Sequence, residues 1–183
     1  WEATIKARRK DNSSQNASTN ETPYDVTMRG VSTLNENLKL ELLEKLKKMD
    51  PFEFEKINGL LLQAMGYGES KITKHSNDGG IDGYCTKDEL EFDKIKFQSK
   101  RYSDKVSVSQ VRAFLGTIGQ GQKGIMITTS DYSTNLTEAL NAVQRSPDDI
   151  KFINGTKLVD FMLKYKIGVK IPHNEALSIQ MTT

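Results

Sequence analysis

Ile81-Asp-Gly-Tyr-Cys-Thr86 and Lys94-Ile-Lys-Phe-Gln-Ser-Lys100 are the two stretches on which the fold turns. Each has strand length, and the polar, acidic run Lys87–Asp93 between them has the character of a turn. Lys94–Lys100 alternates, with Ile95, Phe97 and Ser99 on one face and Lys94, Lys96, Gln98 and Lys100 on the other. Side chains two apart in a strand leave from the same face, so Gln98 and Lys100 share a surface. An antiparallel hairpin of the two strands sets Asp82 beside both.

The rest of the chain falls into place around this pair. Upstream, Ser70–His75 reads as a strand and Asn77-Asp-Gly-Gly80 as a turn. Asp50-Pro51 starts a helix, Asp as N-cap and Pro at the first helical position; Phe54, Ile57, Leu61 and Met65 follow at helical spacing until Gly66 or Gly68 stops it. A further helix is predicted over Asn37–Lys48. Tyr24–Gly30 reads as a short strand ending at a glycine, and Trp1 to about Thr22 as a polar, irregular segment. Downstream, Ser107–Ile118 is a helix, and Gly124-Ile-Met-Ile-Thr-Thr129 is an apolar run suited to a strand buried on both faces. A helix around Thr134–Val143, a strand at Ile150–Ile153 and a helix at Thr156–Tyr165 complete the order α-β-β-β-α-β-α-β-α. That order predicts an α/β fold, a central mixed sheet flanked by helices on both faces.

Composition narrows the function. The 183 residues, 36% hydrophobic and 27% charged, suit one ordinary domain with an appendage. No run approaches the roughly 20 apolar residues of a membrane span, and no signal peptide is visible in a chain that begins with Trp1. The net charge of +2 neither demands nor opposes a nucleic-acid partner. A lone cysteine, Cys85, excludes an internal disulfide and a multi-cysteine zinc site and fits a reducing, cytoplasmic setting. With only His75 and His173, a metal must be held mainly by oxygen, which favours magnesium, with manganese as a substitute.

An acid after a glycine-rich turn, followed by a polar-x-Lys triplet on the next strand, is the kit that phosphodiester hydrolysis needs. It offers an oxygen ligand for a divalent ion and a cation to steady charge near the attacking water. The glycines leave room for a phosphate at the backbone. An Asp after Gly-Gly is equally a common turn residue, and Gln-x-Lys equally a solvated strand face; periodicity leaves both readings open.

Asp50-Pro-Phe-Glu-Phe-Glu-Lys, Leu61-Leu-Gln-Ala-Met-Gly-Tyr67, Asp78-Gly-Gly-Ile-Asp82, Gln98-Ser-Lys-Arg-Tyr102 and Gly124-Ile-Met-Ile-Thr-Thr-Ser130 together resemble the Mrr-type restriction endonuclease catalytic domain, a branch of the PD-(D/E)XK nuclease superfamily. The resemblance runs in order from about Leu38 to Val169, where Lys164–Val169 looks like the family's closing helix and strand. It implies a restriction-endonuclease-like core (αβββαβ plus a further αβα) and a DNA endonuclease dependent on magnesium. In this resemblance Asp82 is the metal-binding aspartate and Gln98 stands where other branches use Asp or Glu. Lys100 is the catalytic lysine and the Ser99 backbone carbonyl a metal ligand. Glu55, which follows Phe54, is the supporting helix carboxylate, with Glu53 as its competitor. Ser99 departs from the Cys common in the family, at a position whose side chain should face inward.

Arg101, Tyr102, Lys105, Gln110 and Arg112 read either as contacts to the phosphates of double-stranded DNA or as ordinary surface groups. Thr128, Thr129 and Ser130 read as DNA contacts or as caps of the next helix. His75 reads as structural, and Cys85 as a small buried hydrophobe. The chain divides into an N-terminal segment (1–36), a nuclease domain (37–172) and a C-terminal tail (173–183); the first is either the remnant of a winged-helix DNA-binding domain or a linker. Cutting both strands calls for two active sites, which implies a homodimer on DNA. A non-cleaving DNA-binding module and a junction-resolving or repair nuclease are the competing readings.

Overall fold

The computed structural model describes residues 21–73, 80–133, 135–144 and 146–169; His75, the turn residues 77–79 and the C-terminal tail fall outside them. The chain divides into two compact units, Trp1–Leu38 and Lys39–Thr183.

The first unit holds most of helix α1, Pro23–Lys48. A strand was expected at Tyr24–Gly30, and the structure corrects this to helix. The cause is a start signal at Thr22-Pro23-Tyr24-Asp25. Asp25 Oδ2 accepts the Thr22 N–H at 2.8 Å, and Thr22 Oγ1 accepts the Asp25 N–H at 3.2 Å. This reciprocal capping box, with proline at the first helical position, outweighs the strand-like composition of Tyr24, Val26 and Thr27.

In the second unit, the end of α1 buries Leu42 and Leu46. Helix α2, Pro51–Leu62, begins as the Asp50-Pro51 pair predicts, with the Asp50 carboxylate accepting the N–H groups of Phe52 and Glu53. A π-helical turn, Gln63–Tyr67, follows, and Gly66 (φ 89°) and Gly68 (φ 100°) end it. Five strands come next in sheet order: β1 Glu69–Ile72, β2 Gly83–Thr86, β3 Ile95–Lys100, β4 Lys123–Thr128 and β5 Ile150–Ile153. Pairing is antiparallel from β1 to β3 and parallel from β3 to β5, so the sheet is mixed.

Parallel neighbours need crossovers, supplied by α3 (Val108–Thr117) and α4 (Leu136–Ala142). Both pack on one face, around Val111, Phe114, Met126 and Leu140, as successive right-handed crossovers require. The opposite face carries α2, the end of α1 and α5 (Gly155–Tyr165), around Phe54, Phe97, Ile125, Ile127 and Leu158. Strand β4 therefore feeds consecutive residues to opposite cores, Ile125 and Ile127 to one and Met126 to the other, which is why its apolar run does not alternate.

Lys164–Val169 was expected to end in a strand. Instead, Lys166 turns left-handed (φ 57°), Ile167 donates back to the Met162 carbonyl at 2.9 Å, and Ile167 and Val169 pack onto the core. This is a Schellman-type helix stop with its hydrophobic contact.

Gly68 is required twice over. Its φ is open only to glycine, and a Cβ there would sit 2.0 Å from the Thr86 carbonyl oxygen. Gly68→Ala is expected to cost about 2 kcal/mol or more in urea denaturation. Gly116→Ala, in exposed helix with nothing within 4 Å of the added methyl, is expected to stabilise by about 0.5–1 kcal/mol. The reverse ranking would contradict this account of the two glycines.

Candidate active site

The site is assembled where β2 meets β3. Their regular register pairs Gly83 with Phe97, and Asp82 sits just ahead of it. The Asp82 N–H donates to the Phe97 carbonyl at 3.0 Å and the Asp82 carbonyl accepts the Thr73 N–H at 2.9 Å, so the residue is pinned from both sides. Two consecutive residues thus address Phe97, the pattern of a bulge, a device that re-aims a side chain. The Asp82 carboxylate turns onto β3 and accepts the backbone N–H of Ser99 at 2.5 Å. Asp82 therefore rests on the peptide between Gln98 and Lys100, and the three residues singled out from the sequence lie together.

Gln98 is 4% exposed, so its face of β3 is covered and not solvated. Its side-chain amide donates to the Gly80 carbonyl, which turns its own oxygen away from Gly80. Gly80 has φ 88°, and a Cβ there would meet the Gln98 amide nitrogen at 2.6 Å, which explains why glycine precedes Asp82. Lys100, half-buried, shares the Gln98 face by strand alternation. On the same face the Lys96 ammonium donates to the Thr117 carbonyl at the end of α3.

Ser99 faces the other way. Its hydroxyl accepts from the Asn58 side-chain amide on α2 at 3.0 Å, so the inward orientation expected from the sequence is observed. Glu55 is half-buried on α2, three residues before Asn58 and hence on the same stripe of the helix. Glu53 is exposed and paired with Lys56 at 2.8 Å.

The Lys100 backbone is fastened by residues that sequence reasoning had read as DNA contacts or helix caps. Its carbonyl accepts Thr128 Oγ1 (2.8 Å), the Thr129 N–H (3.2 Å) and the Tyr102 N–H (3.1 Å). Thr129 Oγ1 in turn accepts the Tyr102 N–H at 3.0 Å and donates to the Tyr102 carbonyl at 2.8 Å. Both threonines are buried, and no local sequence signal links them to a turn 27 residues away.

Among the five residues read as DNA contacts, Lys105 and Arg112 are exposed. The others have partners within the protein. Arg101, half-buried, donates from Nη1 to the Lys47 carbonyl at the end of α1, at 2.6 Å. Gln110 completes a capping box with Ser107 at the start of α3 and also donates to the Tyr102 hydroxyl at 3.1 Å. Cys85 is buried, and burial pushes its thiol up to about 11, so it is an inert hydrophobe at neutral pH.

Among the described residues no three His, Cys, Asp or Glu side chains converge. The oxygens that could serve an ion here are one carboxylate (Asp82), one amide oxygen (Gln98) and the Ser99 carbonyl, which leaves β3 on the same edge as the N–H held by Asp82. An all-oxygen set of this kind fits a hard divalent cation.

A mixed sheet with helices on both faces, carrying an Asp beside a Gln-x-Lys strand, is an architecture of the restriction-endonuclease-like class. Two solved structures share the fold. The MspJI restriction endonuclease, in complex with a 27-mer oligonucleotide, aligns with TM-score 0.54 at 20% identity, covering 68% of this chain and 31% of its own. The DNA modification-dependent restriction endonuclease AspBHI aligns with TM-score 0.54 at 17% identity, covering 70% and 36%. The family model of the Mrr catalytic domain, described as a restriction endonuclease, matches residues 46–162, and the chain belongs to this family. It is 28% identical over 153 residues to the type IV methyl-directed restriction enzyme EcoKMrr of Escherichia coli strain K12. That match covers 80% of this chain but 49% of the relative, so the chain spans about half the length of the curated protein it matches. The family is one of DNA endonucleases, which generally use a divalent metal.

Thr129→Val keeps volume but removes both hydroxyl contacts to Tyr102. With the Lys100 carbonyl left as sole acceptor for the Tyr102 N–H and the Tyr102 carbonyl losing its donor, the cost is expected to be about 0.5–1.5 kcal/mol per lost bond in denaturant unfolding. Unchanged stability would show that the Lys100 carbonyl alone holds the turn.

Proposed function

We propose that this chain is a magnesium-dependent endonuclease that hydrolyses phosphodiester bonds of double-stranded DNA, with modified (methylated) DNA as its preferred substrate. The observation that carries the proposal is the Asp82 carboxylate seated on the β3 peptide between Gln98 and Lys100. Preference for modified DNA rests on the relatives, one named as methyl-directed and one as modification-dependent.

Asp82, the Ser99 carbonyl and the Gln98 amide oxygen would hold the ion, and Mn²⁺ would substitute for Mg²⁺. When bound, the metal supplies Lewis-acid stabilisation of the phosphate and lowers the pKa of a water. The ligand set of this chain is poor in charge, because Gln98 contributes a neutral amide where a carboxylate would add a negative charge. Affinity for the ion is lower in consequence, and the bound ion more electrophilic. Lys100 Nζ donates a hydrogen bond to the attacking water and steadies the hydroxide form; Glu55 supports the site from α2. Lys105 and Arg112, exposed on the loop and helix after β3, contact DNA phosphates. Arg101, Tyr102 and Gln110 shape that surface through their internal bonds.

Scission of both strands calls for two such sites, supplied by a homodimer on DNA. Residues 1–36 are the tail of a winged-helix DNA-binding domain or a linker, and 37–172 form the nuclease domain. No helix among the described residues is long and apolar enough to cross a membrane. A cytoplasmic location fits the buried, unpaired thiol of Cys85.

Incubation with methylated and unmethylated plasmid, with and without Mg²⁺, tests the reading. Metal-dependent cleavage of methylated plasmid is expected, with Lys100→Ala and Asp82→Asn reducing it below detection and leaving the circular dichroism spectrum unchanged. Asn at position 82 still offers an acceptor to Ser99, which keeps the pairing. Full cleavage by both variants overturns the assignment. Nicking confined to branched DNA favours a resolvase, and binding without cleavage a non-catalytic module.

A further inference from the structure

Asn58 is 0% exposed on a face of α2 that otherwise buries Phe54, Leu61 and Leu62. Its amide nitrogen donates to Ser99 Oγ at 3.0 Å, while its Oδ1 is buried without a hydrogen-bond partner. A half-satisfied buried amide costs stability, so packing does not account for it. What it touches does. Ser99 is the residue whose N–H is bound by the Asp82 carboxylate and whose carbonyl leaves β3 on that same edge. The Asn58 bond grips Ser99 from the opposite face of the sheet. Between them, the two contacts fix the Ser99 side chain and the peptide plane that precedes it.

We infer that Asn58 is a positioning residue for the metal site, acting through Ser99: its amide holds the Ser99 hydroxyl and thereby orients the two peptides that flank this residue, one holding Asp82 through its N–H and the other carrying the Ser99 carbonyl toward the ion. This rests on the metal site proposed above. Asn58 touches neither metal nor DNA. It stands to the ligand as an outer-shell partner does, and loss of such partners weakens metal affinity by about 10- to 100-fold. The same bond ties the stripe of α2 that carries Glu55 to the central strand.

The test is a double-mutant cycle read by Mn²⁺ binding, followed by electron paramagnetic resonance or calorimetry on the whole chain, together with thermal melting. Asn58→Leu keeps the branched shape of the side chain and removes the orphaned oxygen. It is expected to melt no lower than the wild type yet bind Mn²⁺ about tenfold more weakly. Ser99→Ala, which deletes the same bond from the strand side, is expected to show the same loss and serves if the first variant fails to fold. The double variant is expected to lose no more than either single one. Unchanged Mn²⁺ affinity in the single variants, or losses that multiply in the double one, overturns the inference. A wild type that does not bind Mn²⁺, or an Asp82→Asn variant that binds it equally well, instead overturns the metal site itself.

Discussion

The Asp82 carboxylate accepting the Ser99 N–H is the contact on which the rest of the structure depends. In an ordinary antiparallel ladder that N–H would go to a backbone carbonyl of the neighbouring strand. Here a side-chain carboxylate takes the place of the carbonyl. A charged acceptor makes a shorter and stronger bond than a neutral one. The pairing of β2 with β3 is thereby closed by the carboxylate proposed to hold the ion. Fold and site share one atom pair, which ties the carboxylate's position to the register of two strands instead of the rotamer of a free surface side chain.

Strand β3 lies where the sheet changes character, antiparallel to β2 on one edge and parallel to β4 on the other. Backbone groups of successive residues leave opposite edges. The Ser99 peptide therefore serves the β2 side, where Asp82 waits, and the Lys100 carbonyl serves the β4 side, where Thr128 and Thr129 receive it. Two adjacent residues are anchored in opposite directions, which leaves little freedom for the backbone that carries Lys100. The two faces divide in the same way. Gln98 and Lys100 lie on the α3 side and Ser99 on the α2 side, so each helical layer supports a different part of the site.

What the sequence disclosed and what it hid follow from the range of the interactions. Asp50-Pro51 announced α2 because a cap is a local bond, made within three residues. Asp82, Gln98 and Lys100 could be placed together because strand alternation and a short turn are also local. The helical start at Thr22-Pro-Tyr-Asp25 is also a local signal, a capping box whose bonds outweigh the strand-like composition of Tyr24–Gly30. By contrast, the Asn58–Ser99 bond spans 41 residues and the Arg101–Lys47 bond 54. Nothing near Arg101 marks its bond to the end of a helix. The burial of Gln98 was hidden for the same reason, because its cover comes from Gly80 and from a helix that sequence alone could not place above it.

Strand β5 closes the sheet order, and its outer edge has no further strand among the described residues. Only four residues long, it carries exposed Lys151 between Ile150 and Phe152, with the ammonium tethered to the Pro147 carbonyl at 2.8 Å. Short length and an inserted positive charge are the features that discourage a foreign strand from adding to an open border. Copies of this domain are thus steered away from joining their sheets into a continuous ribbon through this border.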